Sequence, residues 1–532
     1  MSDASNLTSV RQHQIPQFLV TADQMRQIEG RVFAAGMPIA ALMEKVASRI
    51  TQRVMQLYPP SQVKQVGVLV GPGHNGGDAL VVARELHFQG YEVILFCPFA
   101  RQKELTEQHT HYCSSLGIPI VTEVDRLQSC DLLVDGLFGF GLERSLEGDL
   151  AAVIDQINQF PQPVVSIDLP SGLHTDTGQV LGTAIRASHT LCLGLWKVGL
   201  LQELALEFVG QAELVDFDLT LADIQAVLGE QPQLRRVTPE LAIAHLPVQR
   251  PATTHKYRMG HLLLICGSRR YSGAAILAGL GARASGVGMV TIAVPASLKP
   301  LLNAQLPEAL VLDCPEGESG AIARLPETLD FSAYSAIACG PGLMLEAQTA
   351  VQQTLASDRP LVLDADGLNL LAQLGTVPTL QARSAKTILT PHWGEFRRLF
   401  PNQTESLDRI TATQRAAIEA GAIILLKGAR VIVANTQGKT RINPESTPAL
   451  ARGGSGDVLT GLLGGLLAQV LLQPQPPSTT DTVAAAAWWH AQAGMLAAQE
   501  RTDLGVDAWT LTQYLIPALT QAIKPVVQDL PK

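Results

Sequence analysis

The sequence predicts two α/β domains in succession, each a sheet covered by helices, and three observations carry that expectation. Short, nearly continuous apolar runs alternate with helical segments twice along the chain, first up to about residue 220 and again from about residue 260. Between about Leu219 and Met259 the rhythm stops, and the text turns to QPQ, RRVTPE, LPVQRP and THKYRMG. Each half also holds a glycine-rich stretch ending in aspartate, Gly76-Gly77-Asp78 and Gly453-Gly454-Ser455-Gly456-Asp457. A chain of 532 residues is too long for one ordinary domain, and domains are expected at 1–230 and 231–532.

The first series of strands comprises Val66 to Val70, Val93 to Phe96, Leu132 to Val134, Val164 to Ile167 and Thr190 to Leu193. Apolar throughout rather than alternating, they suit a parallel sheet buried on both faces, the doubly wound, Rossmann-like pattern. A second series runs through Leu262 to Ile265, Val290 to Val294, Ala336 to Ala338, Leu361 to Leu363, Thr387 to Leu389, Ile423 to Leu426 and Val431 to Val433. This is another α/β sheet of its own. In open parallel sheets ligands sit beyond the carboxyl ends of the strands, so the Gly, Asp and Lys residues after each run carry the information about function.

Composition narrows the class. Charged residues make up 16% and hydrophobic residues 46%, so the chain can bury large cores. A net charge of -9 with no basic cluster argues against nucleic acid and leaves small molecules as the expected partners. The N-terminal MSDASNLTSVRQHQIP lacks the basic and apolar regions of a secretory signal. The longest apolar run, Val458 to Leu472, falls short of the ~18 residues that suggest a membrane span and reads as a buried helix. Seven scattered cysteines without a CxxC suit neither a disulfide framework nor a zinc site, and a reducing cytoplasm fits them. A homo-oligomer is expected.

In the first half, Val66 to Val70 leads into Gly71-Pro72-Gly73-His74-Asn75-Gly76-Gly77-Asp78 and then the helical Ala79 to Leu86. Strand, glycine loop and helix together aim free N–H groups at an anion, although a tight turn alone would explain the glycines. Two strand ends carry single carboxylates beside glycines, Asp135 in DGLFGFGLER and Asp168 in DLPSG. Facing one cleft, they could move protons or hold a hard cation; each alone would read as a turn or cap. These segments, with TADQMRQIEG and AALMEKVA, resemble the NAD(P)H-hydrate epimerases over about residues 20 to 220. The resemblance implies that Asn75, Gly76, Gly77, Asp78, the loop Gly139, Phe140, Gly141, Leu142, Glu143 and Arg144, and Asp168 hold the hydrated nicotinamide nucleotide. It further implies a potassium ion at Asn75, Asp135 and Ser171. Inverting C6 requires reversible C–O cleavage, for which Asp168 is the expected proton relay.

In the second half, Ala449 to Asp457 precedes apolar residues at Leu462, Leu463, Leu466, Leu467 and Val470, a helical spacing that places the glycines at a helix N-terminus. Free N–H groups there can hold transferring phosphate oxygens, and Asp457 in the first turn can take a proton from an attacking hydroxyl. No GxxxxGK[ST] pattern is present. The domain resembles the ribokinase-like superfamily and, within it, the nucleotide-dependent NAD(P)H-hydrate dehydratases over about residues 238 to 525, through YSGAAILAGLGARASGVGMVTIAVP, LVLDADGLNLL, LTPHWGEF, LLKGARVIV and RGGSGDVLTG. The resemblance implies hydrate contacts from Ala275, Gly342, His392 and Asp457. It implies a nucleotide site from Lys427, Gly428, Ala429, Arg430 and Val431 with Arg452, Gly453, Gly454, Ser455 and Gly456. It also implies phosphorylation of the C6 hydroxyl of NADHX and NADPHX from ADP with Mg²⁺, Asp457 acting as base. Asp364 and Asp366 are the carboxylates expected nearest the Mg²⁺, though Asp-Ala-Asp-Gly-Leu-Asn is equally turn chemistry. His109, His111 and Cys113 read as helix surface, and Trp488, Trp489 and His490 as core without a role. A small-molecule kinase would share GGSGD but not account for NGGD, Asp135 and DLPSG; a nonenzymatic nucleotide sensor would not need both Asp168 and Asp457.

Overall fold

The computed structural model describes residues 10–404 and 408–528, so residues 1–9 of the N-terminal segment read above lie outside the described residues. The chain divides into two compact units, Met1–Pro232 and Gln233–Lys532.

In the first unit seven strands form one sheet: β1 Gln65–Val70, β2 Glu92–Phe96, β3 Ile120–Val121, β4 Leu132–Gly136, β5 Val164–Ile167, β6 His189–Leu193 and β7 Gln211–Val215. Every pair is parallel, and the spatial order is β3-β2-β1-β4-β5-β6-β7, which places the topological switch point between β1 and β4. Three helices shape the region beyond the carboxyl ends. Helix α1, Ala22–Ala34, starts from Thr21 through a reciprocal capping box with Gln24. Helix α2, Ile39–Leu57, buries Leu42, Val46, Ala47, Ile50 and Val54, the spacing of a single apolar face. Helix α3, His74–Phe88, begins earlier than the apolar pattern implies: Gly76, Gly77 and Asp78 lie in its first turns and not in a loop, with Gly73 as the N-cap. Packing is the reason. A Cβ on Gly71 would lie 1.8 Å from the carbonyl oxygen of Leu137, and one on Gly76 would lie 2.0 Å from that of Gly71, so only bare backbone lets this helix start against the strand ends.

The second unit is built on ten strands: β8 Leu234–Arg236, β9 His261–Ile265, β10 Met289–Pro295, β11 Leu310–Cys314, β12 Ala336–Cys339, β13 Leu361–Leu363, β14 Thr387–Leu389, β15 Ile423–Leu426, β16 Ile432–Ala434 and β17 Thr440–Ile442. Their order is β8-β17-β16-β15-β14-β13-β12-β9-β10-β11, with the switch point between β9 and β12. The β15–β16 and β16–β17 pairs are antiparallel, so this sheet is mixed. Strand β8 falls inside the stretch where the sheet rhythm stops in sequence; its Leu-Arg-Arg text carries no apolar run because it is an edge.

Helix α4, Ser272–Ala284, packs on α6, Ser455–Val470, through backbone contact: a Cβ on Gly461 would lie 1.8 Å from the oxygen of Ala278, and one on Gly281 would lie 2.2 Å from that of Val458. Between them in the chain lies the short α5, Trp393–Leu399. Of the run from Val458 to Leu472 that reads as a buried helix, Val458 to Val470 lies in α6 and is buried, whereas Leu471 and Leu472 fall past its end and Leu472 is exposed. In α7, Thr479–Arg501, Trp488 and Trp489 join the main core. Among the described residues no helix is long and apolar enough to cross a membrane.

Candidate active sites

In the first unit a cleft of about 620 Å³ opens beyond the carboxyl ends of β1, β4 and β5, at the switch point. Its walls include Glu29 of α1, Asn75 and Asp78 of α3, the 137–142 loop, Asp168 and Lys197. Asp168, just past β5, adopts a left-handed backbone with φ 68°, a strained conformation of the kind concentrated at functional sites. One of its carboxylate oxygens, Oδ2, accepts from the N–H of Phe140 at 3.1 Å. The other, Oδ1, accepts from the N–H of Leu193 at 3.2 Å and from the ammonium of Lys197. Lys197 is fully buried; it also donates to the oxygen of Leu193 at 2.6 Å and sits 5.7 Å from the centre of the Phe140 ring. Burial pulls this lysine down, but the charge and hydrogen bond of Asp168, with Glu29 adding, outweigh it and hold the ammonium above its ordinary value.

Asp78 and Glu29 complete the cluster. Burial raises the Asp78 carboxyl well above the usual range, and the charges of Asp168 and Glu29 push the same way. Burial pushes Glu29 up to about 7, against the pull of Lys197 and with that of Asp168. A pair of carboxyls held in different environments is the arrangement that separates a proton donor from an acceptor.

Asp135 lies beneath the cleft wall, fully buried, and its four hydrogen bonds come from Leu137 N at 3.2 Å, Ser166 Oγ at 2.8 Å, Ser171 N at 2.9 Å and Ser171 Oγ at 2.6 Å. Ser171 Oγ in turn accepts from Phe138 N at 2.9 Å, which fixes the 137–142 loop to the DLPSG turn. The side-chain nitrogen of Asn75 is buried and finds no partner among the described residues. Of the residues expected to hold the hydrate, Asn75, Asp78, Gly139, Phe140, Gly141, Leu142 and Asp168 line the cleft, whereas Gly76, Gly77, Glu143 and Arg144 do not.

In the second unit the carboxyl ends of β13, β14 and β15 converge beneath the first turn of α6. Asp364, directly after β13, accepts from Lys427 Nζ at 2.6 Å and from Thr460 Oγ at 2.6 Å, so both its oxygens are engaged. Lys427 follows β15 and pairs with His392, which follows β14. Gly454 caps α6 in a left-handed conformation with φ 93°. A Cβ on Gly456 would lie 3.4 Å from Lys427 Nζ, so the glycine brings the helix's free N–H groups down over the lysine and Asp364. Asp457 stands in that first turn. Burial pushes it up to about 7, with the charge of Asp364 adding, Lys427 opposing and Asp366 adding again.

The other expected residues take varied positions. His392 caps α5, its Nδ1 accepting from Gly394 N at 2.9 Å and Glu395 N at 3.2 Å, which leaves Nε2 on a half-exposed ring. Gly342 has φ 64° and packs on Tyr271 and Ala274, next to the fully buried Ala275. Asp366 accepts from Met344 N at 2.8 Å. Gly428, Ala429, Arg452 and Gly453 are exposed, Arg430 and Val431 are partly buried, and burial lowers Arg430 to about 10.

Three residues passed over in sequence belong to these sites. Lys197 is the single charge between Thr190 and Leu201, and Thr460 a hydroxyl inside the apolar run of α6. His490, read as core, donates from Nε2 to Ser455 O at 3.0 Å and ties α7 to the first turn of α6; burial lowers it to about 4, so its ring is neutral. A lone polar residue in an apolar run was the available signal for each of the first two.

Comparison with known proteins gives the same division. Residues 262–517 match a family described as NAD(P)H-hydrate dehydratase, and residues 39–199 match one described as YjeF-related protein N-terminus. The chain is 54% identical over 513 residues to the bifunctional NAD(P)H-hydrate repair enzyme of Synechocystis sp., covering 96% of this chain and 97% of that one. It is 53% identical over 506 residues to that of Thermosynechococcus vestitus, covering 95% and 98%. Among solved structures, an ADP/ATP-dependent NAD(P)H-hydrate dehydratase from Bacillus subtilis, crystallised with ATP and Mg²⁺, is 34% identical and covers 54% of this chain and 97% of that one, with a TM-score of 0.45. With two different sites on two units, matched end to end at this identity, the chain belongs to the bifunctional NAD(P)H-hydrate repair enzymes.

Proposed function

We propose that the first unit, over residues 1–230, interconverts the R and S forms of NADHX and NADPHX, and that the second, over 231–532, dehydrates the S form at the expense of ADP, giving AMP and phosphate. The observation that carries the second assignment is Asp457, a carboxyl pushed up to about 7 in the first turn of a glycine-capped helix. Ionised, it accepts the proton of the C6 hydroxyl as that oxygen attacks the terminal phosphorus and the bond to AMP breaks. The N–H groups of α6, with Lys427 beneath them, stabilise the charge on the transferring oxygens. Loss of phosphate from C6 and of a proton from C5 then restores the dihydronicotinamide ring.

Magnesium would neutralise the phosphates in this step. With both Asp364 oxygens engaged by Lys427 and Thr460, it would be held mainly by phosphate and water, as that ion prefers. In the first unit potassium would be held by side-chain oxygens of Asn75, Asp135 and Ser171, the buried Asp135 carboxylate supplying the negative charge; the amide nitrogen of Asn75 only donates and would not ligate it. There Asp168 relays the proton in C6 epimerisation. We place the enzyme in the cytoplasm, in keeping with seven unpaired cysteines, and expect a homo-oligomer.

The purified chain, given mixed R and S hydrates with ADP and Mg²⁺, should regenerate all the absorbance of the reduced nicotinamide. Asp457→Asn should abolish recovery, a loss of about 10³ in rate. Asp168→Asn should confine recovery to the S form once spontaneous epimerisation is subtracted. If that variant converts both epimers at the native rate, the first assignment fails. Repeating the assay with ATP for ADP, and with sodium for potassium, tests the two cofactor assignments.

A further inference from the structure

The epimerisation cleft holds three carboxyls but one buried cation, its other two cations being exposed. Asp168, Asp78 and Glu29 come from three different elements, the β5 end, α3 and α1, and all line the same walls as one buried ammonium, Lys197, the second ammonium of the lining, Lys103, being exposed. The other titratable groups lining the cleft are Arg26, His74 and Lys103, and Cys192 lies beneath it. Arg26 is paired with Asp23 on its own helix. Burial lowers His74, with Lys103 pushing it the same way, so it adds no cation at neutral pH. Burial raises Cys192 to about 11, which keeps that thiol neutral. Among the described residues Lys197 is the one cationic side chain that bonds a carboxylate of the cluster.

We propose, on the reading that this unit is the epimerase, that Asp78 and Asp168 form a two-carboxyl proton-exchange pair and that Lys197 is the residue positioning it. Lys197 satisfies one ionised carboxylate. It is bonded to Asp168 and also locked to the oxygen of Leu193, so the charge is fixed on Asp168 and the remaining proton stays on Asp78. Burial raises both Asp78 and Glu29, and the charge of Asp168 adds to each in the same direction.

The step balances as follows. Asp78 gives its proton to the C6 hydroxyl oxygen, and the C–O bond breaks with its electron pair leaving in water. The positive charge on C6 is shared with the lone pair of N1. Water then adds to the opposite face of C6 and gives its proton to Asp168. The cleft is now charged the other way round, ready for the reverse conversion, and proton transfer from Asp168 to Asp78 resets it. No oxidant, reductant or nucleotide is consumed.

The test uses the full chain and the R hydrate, with ADP and Mg²⁺ present so that S-form dehydration reports each epimerisation. Conversion of pure S hydrate, measured in parallel, monitors the second unit. Lys197→Met should lower the R-form rate at least 100-fold with S conversion within twofold of native, and Lys197→Arg should restore at least tenfold of that loss. In Lys197→Arg the acid limb of the pH–rate profile should stay in place, and in Asp78→Asn the alkaline limb should vanish. A native R-form rate in Lys197→Met, no recovery in Lys197→Arg, or an unchanged alkaline limb in Asp78→Asn each overturns the proposal. Should Lys197→Met lack a folded first unit by near-ultraviolet dichroism, the two limbs in the other variants decide the matter. If the native chain itself converts R hydrate no faster than the spontaneous rate, it is the epimerase reading that fails.

Discussion

At the scale of single residues, both sites hold carboxyls that burial has moved toward neutrality, and this makes stability depend on pH. Glu29 is raised from 4.5 to about 7 in the folded chain. Its contribution is complete below the unfolded value and is lost as pH rises through the folded one, because above that point the folded state must carry a buried charge. A shift of that size corresponds to about 3 kcal/mol. Local opening of α1 should therefore become easier between about pH 5 and 7.5, and Glu29→Gln should flatten the trend. Hydrogen exchange resolved to the α1 amides measures it, and equal slopes in the native chain and the variant would count against the buried carboxyl. Asp78, raised in the same direction, leaves a residual slope in the variant. The counterpart in the second unit is Asp457, raised by burial to about 7, so its ionised form gains population as pH rises through that value.

At the scale of elements, the sequence made some features plain and concealed others for definable reasons. The strands β1, β4, β5 and β6, and β9 through β16 apart from β11, announce themselves as apolar runs because both their faces are covered. Strands β3, β7, β8 and β11 are the edges of the two large sheets, and their half-exposed or polar text gives no such signal. The start of α3 was hidden for a different reason. Glycines read as loop formers, but at Gly76 the missing Cβ serves a backbone contact within a helix, which local propensity does not report. The glycines of α6 work likewise. Gly461 faces the Ala278 oxygen with no side chain to yield, so Gly461→Ala must push α4 and α6 apart and lift the turn that carries Asp457. The variant should lose about 3 kcal/mol of stability in the second unit. Its S-form conversion should fall while R-to-S epimerisation, followed by chromatography, stays native. Unaltered thermal unfolding of the second unit would contradict the close packing.

At the scale of the whole molecule, the position of the division matters because an element needed by the second sheet lies close behind it. Asp168 and Asp457 were visible as strand-end and helix-start aspartates, since sheet topology places such positions together; Lys197 was not, because its partner Asp168 is near only through the pairing of β5 with β6. The same distinction governs where the units part. Resemblance in sequence begins at about residue 238, but β8 at Leu234–Arg236 pairs in parallel with β17, and Val237 N continues the ladder to Ile442 O at 2.9 Å. Strand β17 is buried, and its Arg441 is tied to Asp481 of α7, so stripping its neighbour would expose backbone groups and loosen the sheet behind the active site. A fragment starting at Gln233 should fold and dehydrate S hydrate with ADP at close to the native rate. One starting at Thr238 should unfold at least 10 °C lower or aggregate, because it leaves at least three ladder positions open on an edge not built for solvent. Matching thermal midpoints for the two fragments would show that β8 contributes nothing to the second unit and that the boundary set by sequence resemblance is sufficient.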